Sequence, residues 1–140
     1  MQDDARNRVL LVDDCLDTCD LLSAAFPHLS FTLAHSFEDG LKLARFEQFD
    51  LFLLDNWLRD GSGVELCREI RKNDAGTPVL FLSAAASQSD NDEAMAAGAS
   101  LYLDKPVDLD RLRSILESVI QAPRSENLKA KVGRNRGSLE

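Results

Sequence analysis

The sequence predicts an α/β domain, a doubly wound five-stranded parallel sheet between two layers of helices. Short apolar runs alternate with amphipathic segments five times along the chain. Four of those runs are almost continuously apolar, as strands covered on both faces are. The segments between them are long enough for right-handed helical crossovers. With 140 residues, 44% hydrophobic and 29% charged, and only 7 Gly and 4 Pro, the chain can bury one core and is not disordered, collagenous or repetitive in composition.

The first predicted strand, Val9-Leu10-Leu11-Val12, leads into a helical pattern of Leu16, Cys19, Leu22 and Phe26. Phe31-Thr32-Leu33-Ala34 is the second strand. Ser36-Phe37-Glu38-Asp39 then has the form of a capping box opening a helix with Leu41, Ala44 and Phe46 on its apolar side. Leu51-Phe52-Leu53-Leu54 is the third strand, and Val64, Cys67 and Ile70 mark the helix after it. Val79-Leu80-Phe81-Leu82 is the fourth, followed by a weakly apolar helix with Ala94, Met95 and Ala97, stopped by Gly98. Leu101-Tyr102-Leu103 is the fifth. Asp108 can cap the last helix, whose stripe of Leu109, Leu112, Ile115, Leu116, Val119 and Ile120 is the clearest in the chain. After Gln121 periodicity ends. The expected organisation is an N-terminal extension (1–7), a folded domain (8–122) and a flexible basic tail or truncated linker (123–140).

The formal charge is -8, and residues 124 to 140 hold five basic side chains against Glu126 and Glu140, so the folded part is strongly acidic. Such a surface repels nucleic acid phosphates and anionic membranes, and no basic recognition helix is visible, so neither direct nucleic acid binding nor membrane contact is expected. There is no signal-peptide stretch and no run approaching roughly 20 apolar residues, which makes a cytoplasmic protein the expectation. Three cysteines is an odd, low count that reads as free thiols. Neither His28 nor His35 has zinc-site spacing to Cys15 or Cys19, so these residues read as core filler or surface loop rather than ligands.

In an open parallel sheet, ligands bind beyond the carboxyl ends of the strands. There the sequence places Asp13-Asp14 after the first strand, Asp55 after the third, Ser83 after the fourth and Asp104-Lys105-Pro106 after the fifth. Clustered carboxylates repel unless a cation sits among them. Oxygen ligands with a phosphoryl group suit Mg²⁺ better than zinc or calcium, and Lys105 adds a second positive charge. Such a site can neutralise a transferring phosphoryl group while a carboxylate attacks phosphorus. Taken singly, Asp13 or Asp14 is equally explained as a helix N-cap, Asp60 as a turn residue and Lys105 as solvent-facing. Their joint arrival at strand ends is not explained that way.

Val9 to Asp14, Phe49 to Asp55 with Asp60-Gly61-Ser62-Gly63, Thr77 to Ala84, and Gly98 to Pro106 together resemble the receiver domain of two-component response regulators, over roughly residues 8 to 121. The resemblance implies the flavodoxin-like (βα)5 fold with strand order 2-1-3-4-5. It implies Asp55 as phosphoacceptor, with Asp13, Asp14, Asp55 and the main-chain carbonyl of Trp57 holding Mg²⁺. Ser83 and Lys105 would bind phosphoryl oxygens, Ser83 and Tyr102 would form the switch, and the Lys105-Pro106 bond would be cis. Its implied partners are a sensor histidine kinase or a histidine phosphotransfer protein upstream. Downstream, a protein or a second copy of the chain would meet the face of the fourth helix, fifth strand and fifth helix. The chain departs from the family pattern at Arg59, where proline is common, and at Ser83, where threonine is frequent.

Three rival functions remain. A haloacid-dehalogenase-type phosphatase also uses a strand-end Asp and Mg²⁺ but wants a second acid two residues on, where Trp57 stands. A nucleotide-binding enzyme would show a Gly-rich phosphate loop after the first strand, which is missing. A phosphorylation-independent interaction module would not need all five key residue types. The sequence therefore reads as a signalling domain that catalyses only its own phosphorylation and dephosphorylation.

Overall fold

The computed structural model describes residues 7–84 and 87–121. Most of the expected N-terminal extension, and the tail at 123–140, lie outside the described residues. In chain order the elements are β1 (Arg8–Val12), α1 (Leu16–Ala25), β2 (Ser30–Ala34), α2 (Phe37–Phe46), β3 (Leu51–Leu54), β4 (Trp57–Leu58), β5 (Gly61–Ser62), α3 (Gly63–Arg71), β6 (Val79–Ser83), α4 (Gln88–Ala96), β7 (Leu101–Asp104) and α5 (Leu109–Gln121). The five apolar runs are β1, β2, β3, β6 and β7, all parallel, in the order β2-β1-β3-β6-β7. Counted within the main sheet this is 2-1-3-4-5, the flavodoxin-like order. The segment expected to be a plain turn instead carries a two-rung antiparallel ladder, β4 with β5.

Alternate residues of the buried strands feed different cores. Leu10, Val12, Phe52, Leu54, Val79 and Phe81 pack with α2, α3 and α4, whereas Val9, Leu11, Leu51, Leu53, Leu80 and Leu82 pack with α1 and α5. This two-sided burial explains why the runs lack polar alternation. Three apolar helix positions expected inside, Leu16, Phe46 and Met95, are exposed. Each stands in the first or last turn of its helix, where the stripe runs past the layer it covers. Among the described residues no helix is long and apolar enough to cross a membrane.

Caps set the helix starts. Ser36 Oγ accepts the Asp39 N–H at 3.1 Å, which is half of the expected capping box. The other free N–H groups of that turn, on Phe37 and Glu38, donate to Asp60 at 2.7 and 3.1 Å. Asp60 is therefore a cap reaching across from the β4–β5 turn, and these bonds hold its carboxyl below the usual range. Asp108 accepts from Asp110 and Arg111 at the start of α5. Gly98, with φ of +110°, ends α4 in a conformation that favours glycine, and a Cβ there would also press on the Arg71 side chain.

The strand register brings the site together. Val12 lies beside Leu54, Leu54 beside Phe81, and Phe81 beside Tyr102, so the polar residues that follow leave the sheet along one edge.

Candidate functional site

Asp13 and Asp55 continue the ladder as they leave the strands: the Asp13 N–H donates to Ala34 O at 3.0 Å and the Asp55 N–H to Val12 O at 2.9 Å. Asp13, Asp14 and Asp55 each present a carboxylate oxygen within 4.8 Å of the others. Asp13 and Asp55 are buried and Asp14 is half-buried. The Lys105 ammonium enters from the end of β7, 2.7 Å from Asp13 Oδ2 and 3.9 Å from Asp55 Oδ2. The Lys105–Pro106 peptide bond beside it is cis. Ser83, fully buried at the end of β6, donates its hydroxyl to Asp55 Oδ1 at 2.9 Å.

The electrostatics follow from three carboxylates around one ammonium. Burial, with the charge of Asp13, raises the Asp55 carboxyl above its ordinary value, although Ser83 and Lys105 pull the other way. Burial opposes the Lys105 ammonium, but the hydrogen bond and charge of Asp13, with the charge of Asp55, outweigh it and hold the lysine above its usual value.

The loop after Asp55 is built to approach the sheet closely. A Cβ on Gly63 would stand 2.5 Å from the Asp55 carbonyl oxygen and 2.8 Å from the Phe81 ring, so only glycine fits. Asn56 is buried. Its Oδ1 accepts the Val64 N–H at 3.2 Å and its N–H reaches Ser83 Oγ at 3.4 Å. The Trp57 N–H points to Asp55 Oδ1 at 3.4 Å, and its half-exposed indole donates to Ala84 O at 3.1 Å, tying the Asp55 loop to the end of β6. Arg59 is exposed.

Tyr102 stacks on Phe81, with centroids 5.3 Å apart and planes 5° from parallel. Its hydroxyl is buried with no partner in hydrogen-bonding geometry among the described residues, and burial raises its pKa.

Two residues that the sequence reads as core filler or surface loop also meet the main chain of Asp13: Cys19, which is buried in the core beneath α1, and His35, half-buried after β2. His35 brings Nδ1 to 3.0 Å from the Asp13 carbonyl oxygen, and Cys19 brings Sγ to 3.6 Å from the same atom. Burial pushes the Cys19 thiol up to about 11, so it stays protonated as a donor. Asn56 and Gly63 were missed as well. A polar residue directly after the strand-end Asp55, where the chain is still buried, was the available signal for Asn56.

The family model described as the response regulator receiver domain matches residues 9–117. The chain belongs to the response regulator receiver domain family. It is 34% identical over 130 residues to the response regulator protein PilR of Pseudomonas aeruginosa, covering 91% of this chain and 29% of that protein. The chain therefore spans less than a third of that relative's length. A CheY-like response regulator receiver domain protein from Methanospirillum hungatei superposes with a TM-score of 0.79 at 27% identity, covering 83% of this chain and 94% of the other. The receiver domain of a sensor histidine kinase from Pseudomonas aeruginosa superposes at 0.77 with 28% identity, covering 84% and 100%. That structure is described with a magnesium ion coordinated in its active site cleft.

Proposed function

We propose that this receiver domain takes a phosphoryl group on Asp55 from a phosphohistidine, carried by a sensor histidine kinase or a histidine phosphotransfer protein. The observation that carries the reading is the meeting of Asp13, Asp14, Asp55, Ser83 and Lys105 at one sheet edge. An Asp55 carboxylate oxygen forms the new bond to phosphorus while the P–N bond of the phosphohistidine breaks and its electron pair returns to the imidazole. The product is an acyl phosphate on Asp55.

The donor set fits a hard divalent cation: it is all oxygen, and three carboxylates converge with one ammonium beside them. Asp13, Asp14, Asp55 and the main-chain carbonyl of Trp57 would hold Mg²⁺, which when bound offsets the negative charge of carboxylates and phosphoryl oxygens. Lys105 supplies a fixed positive charge beside Asp13 and Asp55. The Ser83 hydroxyl, which now donates to Asp55 Oδ1, turns to a phosphoryl oxygen once one is there.

The signal leaves through the face of α4, β7 and α5, toward a downstream protein or a second copy of the chain. Ser83 and Tyr102 lie on neighbouring strands beneath that face, and the ring and hydroxyl of Tyr102 pack inward next to Ser83. Drawing Ser83 toward a phosphoryl group biases this packing, and a partner that prefers one arrangement favours the matching phosphorylation state.

Intact mass after incubation with acetyl phosphate and Mg²⁺ tests the acceptor. One phosphoryl mass is expected, lost on chelation of Mg²⁺ and absent from Asp55→Asn with the fold retained; persistent labelling of that variant moves the acceptor elsewhere. Amide exchange over 87–106 with and without beryllofluoride tests the output face. Changes that vanish in Ser83→Ala are expected, and changes confined to the Asp55 loop would refute the coupling.

A further inference from the structure

We propose that His35 is a positioning residue for the acidic pair: by donating Nδ1–H to the Asp13 carbonyl it fixes the peptide joining Asp13 to Asp14 and so tightens divalent cation binding. The inference rests on the reading that this cluster holds Mg²⁺.

β2 ends at Ala34, whose carbonyl accepts the Asp13 N–H in the last rung between β1 and β2. The Asp13 carbonyl lies one atom group beyond that rung, in a residue that is 1% exposed. A buried carbonyl in that position needs a donor from outside the ladder. His35, the first residue after β2, supplies one at 3.0 Å, and Cys19, from α1, supplies a weaker one at 3.6 Å. A carbonyl oxygen only accepts and has two lone pairs, so Nδ1 carries the hydrogen and the two donors fill both sites. The 4.0 Å between Cys19 Sγ and His35 Nδ1 fits two donors converging on one atom.

The Asp13 side chain has its own restraints, the Cys15 N–H at 2.8 Å and the Lys105 ammonium at 2.7 Å. Those bonds orient the Asp13 carboxylate and leave Asp14 to the main chain. The peptide bond is planar, so gripping the Asp13 carbonyl also sets the direction in which the chain enters Asp14. Groups that orient metal ligands in this way typically change metal affinity tenfold or more when removed.

The test is Mg²⁺ titration by calorimetry of the full chain, in the parent, His35→Ala and His35→Asn, whose amide places a donor where Nδ1 stands. Thermal melting without metal is measured alongside. Mg²⁺ affinity should fall about tenfold in His35→Ala and recover most of the way in His35→Asn. The Mg²⁺ concentration for half-maximal phosphoryl uptake should rise by the same factor. Equal affinity in the parent and His35→Ala overturns the inference. So does an equal loss in both variants that tracks a common fall in melting temperature, because that is the mark of a merely structural role. A parent that binds Mg²⁺ but accepts no phosphoryl group sinks the proposed function and leaves the His35 comparison decisive. A parent that binds no Mg²⁺ sinks both.

Discussion

At the amino edge of the sheet, Arg71 donates to Gly98 O through Nε and one terminal nitrogen, and to Asp74 O and Thr77 O through the other, at 2.6 to 3.0 Å. Asp74 accepts from the Gly76 and Thr77 N–H groups, and Arg8 bonds the Gln48 carbonyl and pairs with Glu47. A cleft of about 520 Å³ between α2 and α3 opens here, walled partly by these same bonded groups. At the carboxyl edge, three carboxylates face one ammonium, and a buried phenol has no hydrogen-bond partner among the described residues. The same sheet thus carries ionisable groups that close loops at one end and, at the other, a carboxyl, Asp55, held against its charge. The contrast shows in two aspartates. Burial would raise the Asp74 carboxyl, but hydrogen bonds from Thr77 and Gly76, with Arg71 nearby, outweigh it and hold it low. Burial and Asp13 hold Asp55 high.

The largest effect expected from this contrast is at Arg71. Arg71→Ala removes the guanidinium bonds to the Gly98, Asp74 and Thr77 carbonyls, and the loss should be about 3 kcal/mol in denaturant unfolding. Phosphoryl uptake by the folded variant should match the parent. A loss below about 1 kcal/mol would mean that water satisfies those carbonyls and that the amino edge is not held by this side chain.

The two aspartates should respond to Asn substitution with opposite signs. Asp74 has a native value below its unfolded one, so its ionised form stabilises the fold above the unfolded value and that contribution is lost as pH falls through the native value. Asp74→Asn should therefore lower stability at pH 7, by on the order of 1 kcal/mol after solvent screening, with the penalty vanishing in acid. Asp55 has a native value above its unfolded one, so the native state binds its proton more tightly and stability falls as pH rises between the two values. Asp55→Asn should raise melting temperature at pH 7 in the absence of metal, and the gain should shrink as pH falls through that window. Millimolar Mg²⁺ should stabilise the parent more than Asp55→Asn, because binding to the native state relieves the repulsion. Equal pH profiles for the two variants would erase the distinction between the edges.

The sheet and its helices were legible because two-faced burial and helical stripes are local patterns, readable in a window of ten residues. Asp13, Asp55 and Ser83 were legible as candidates because each directly follows an apolar run, and Asp14 and Lys105 because they stand one residue further on. The roles of His35, Cys19 and Asp60 were not. His35 meets Asp13 across 22 residues and Asp60 meets Phe37 across 23, and nothing in the flanking sequence records a partner that far away. The exposed Phe46 shows the converse, an apolar residue in phase with its stripe whose environment depends on where the helix stops.

The smallest effect, and the one that separates the edges most finely, concerns the Tyr102 hydroxyl. It is buried, and no described residue stands in bonding geometry to it. A hydroxyl taken from water without a replacement bond destabilises the fold, whereas its aromatic ring keeps the stack on Phe81 whether or not the oxygen is there. Tyr102→Phe should therefore be neutral or stabilising by a few tenths to about 1 kcal/mol, opposite in sign to the Arg71 truncation. A double-mutant cycle with Ser83→Ala should give a coupling energy near zero in the unphosphorylated protein, since the two hydroxyls do not bond. A loss of about 1 kcal/mol in Tyr102→Phe, or a clear coupling to Ser83, would mean that the phenol has a partner in solution. The carboxyl edge would then hold its polar groups as fully as the amino edge does, and its strain would reside in the carboxylates alone.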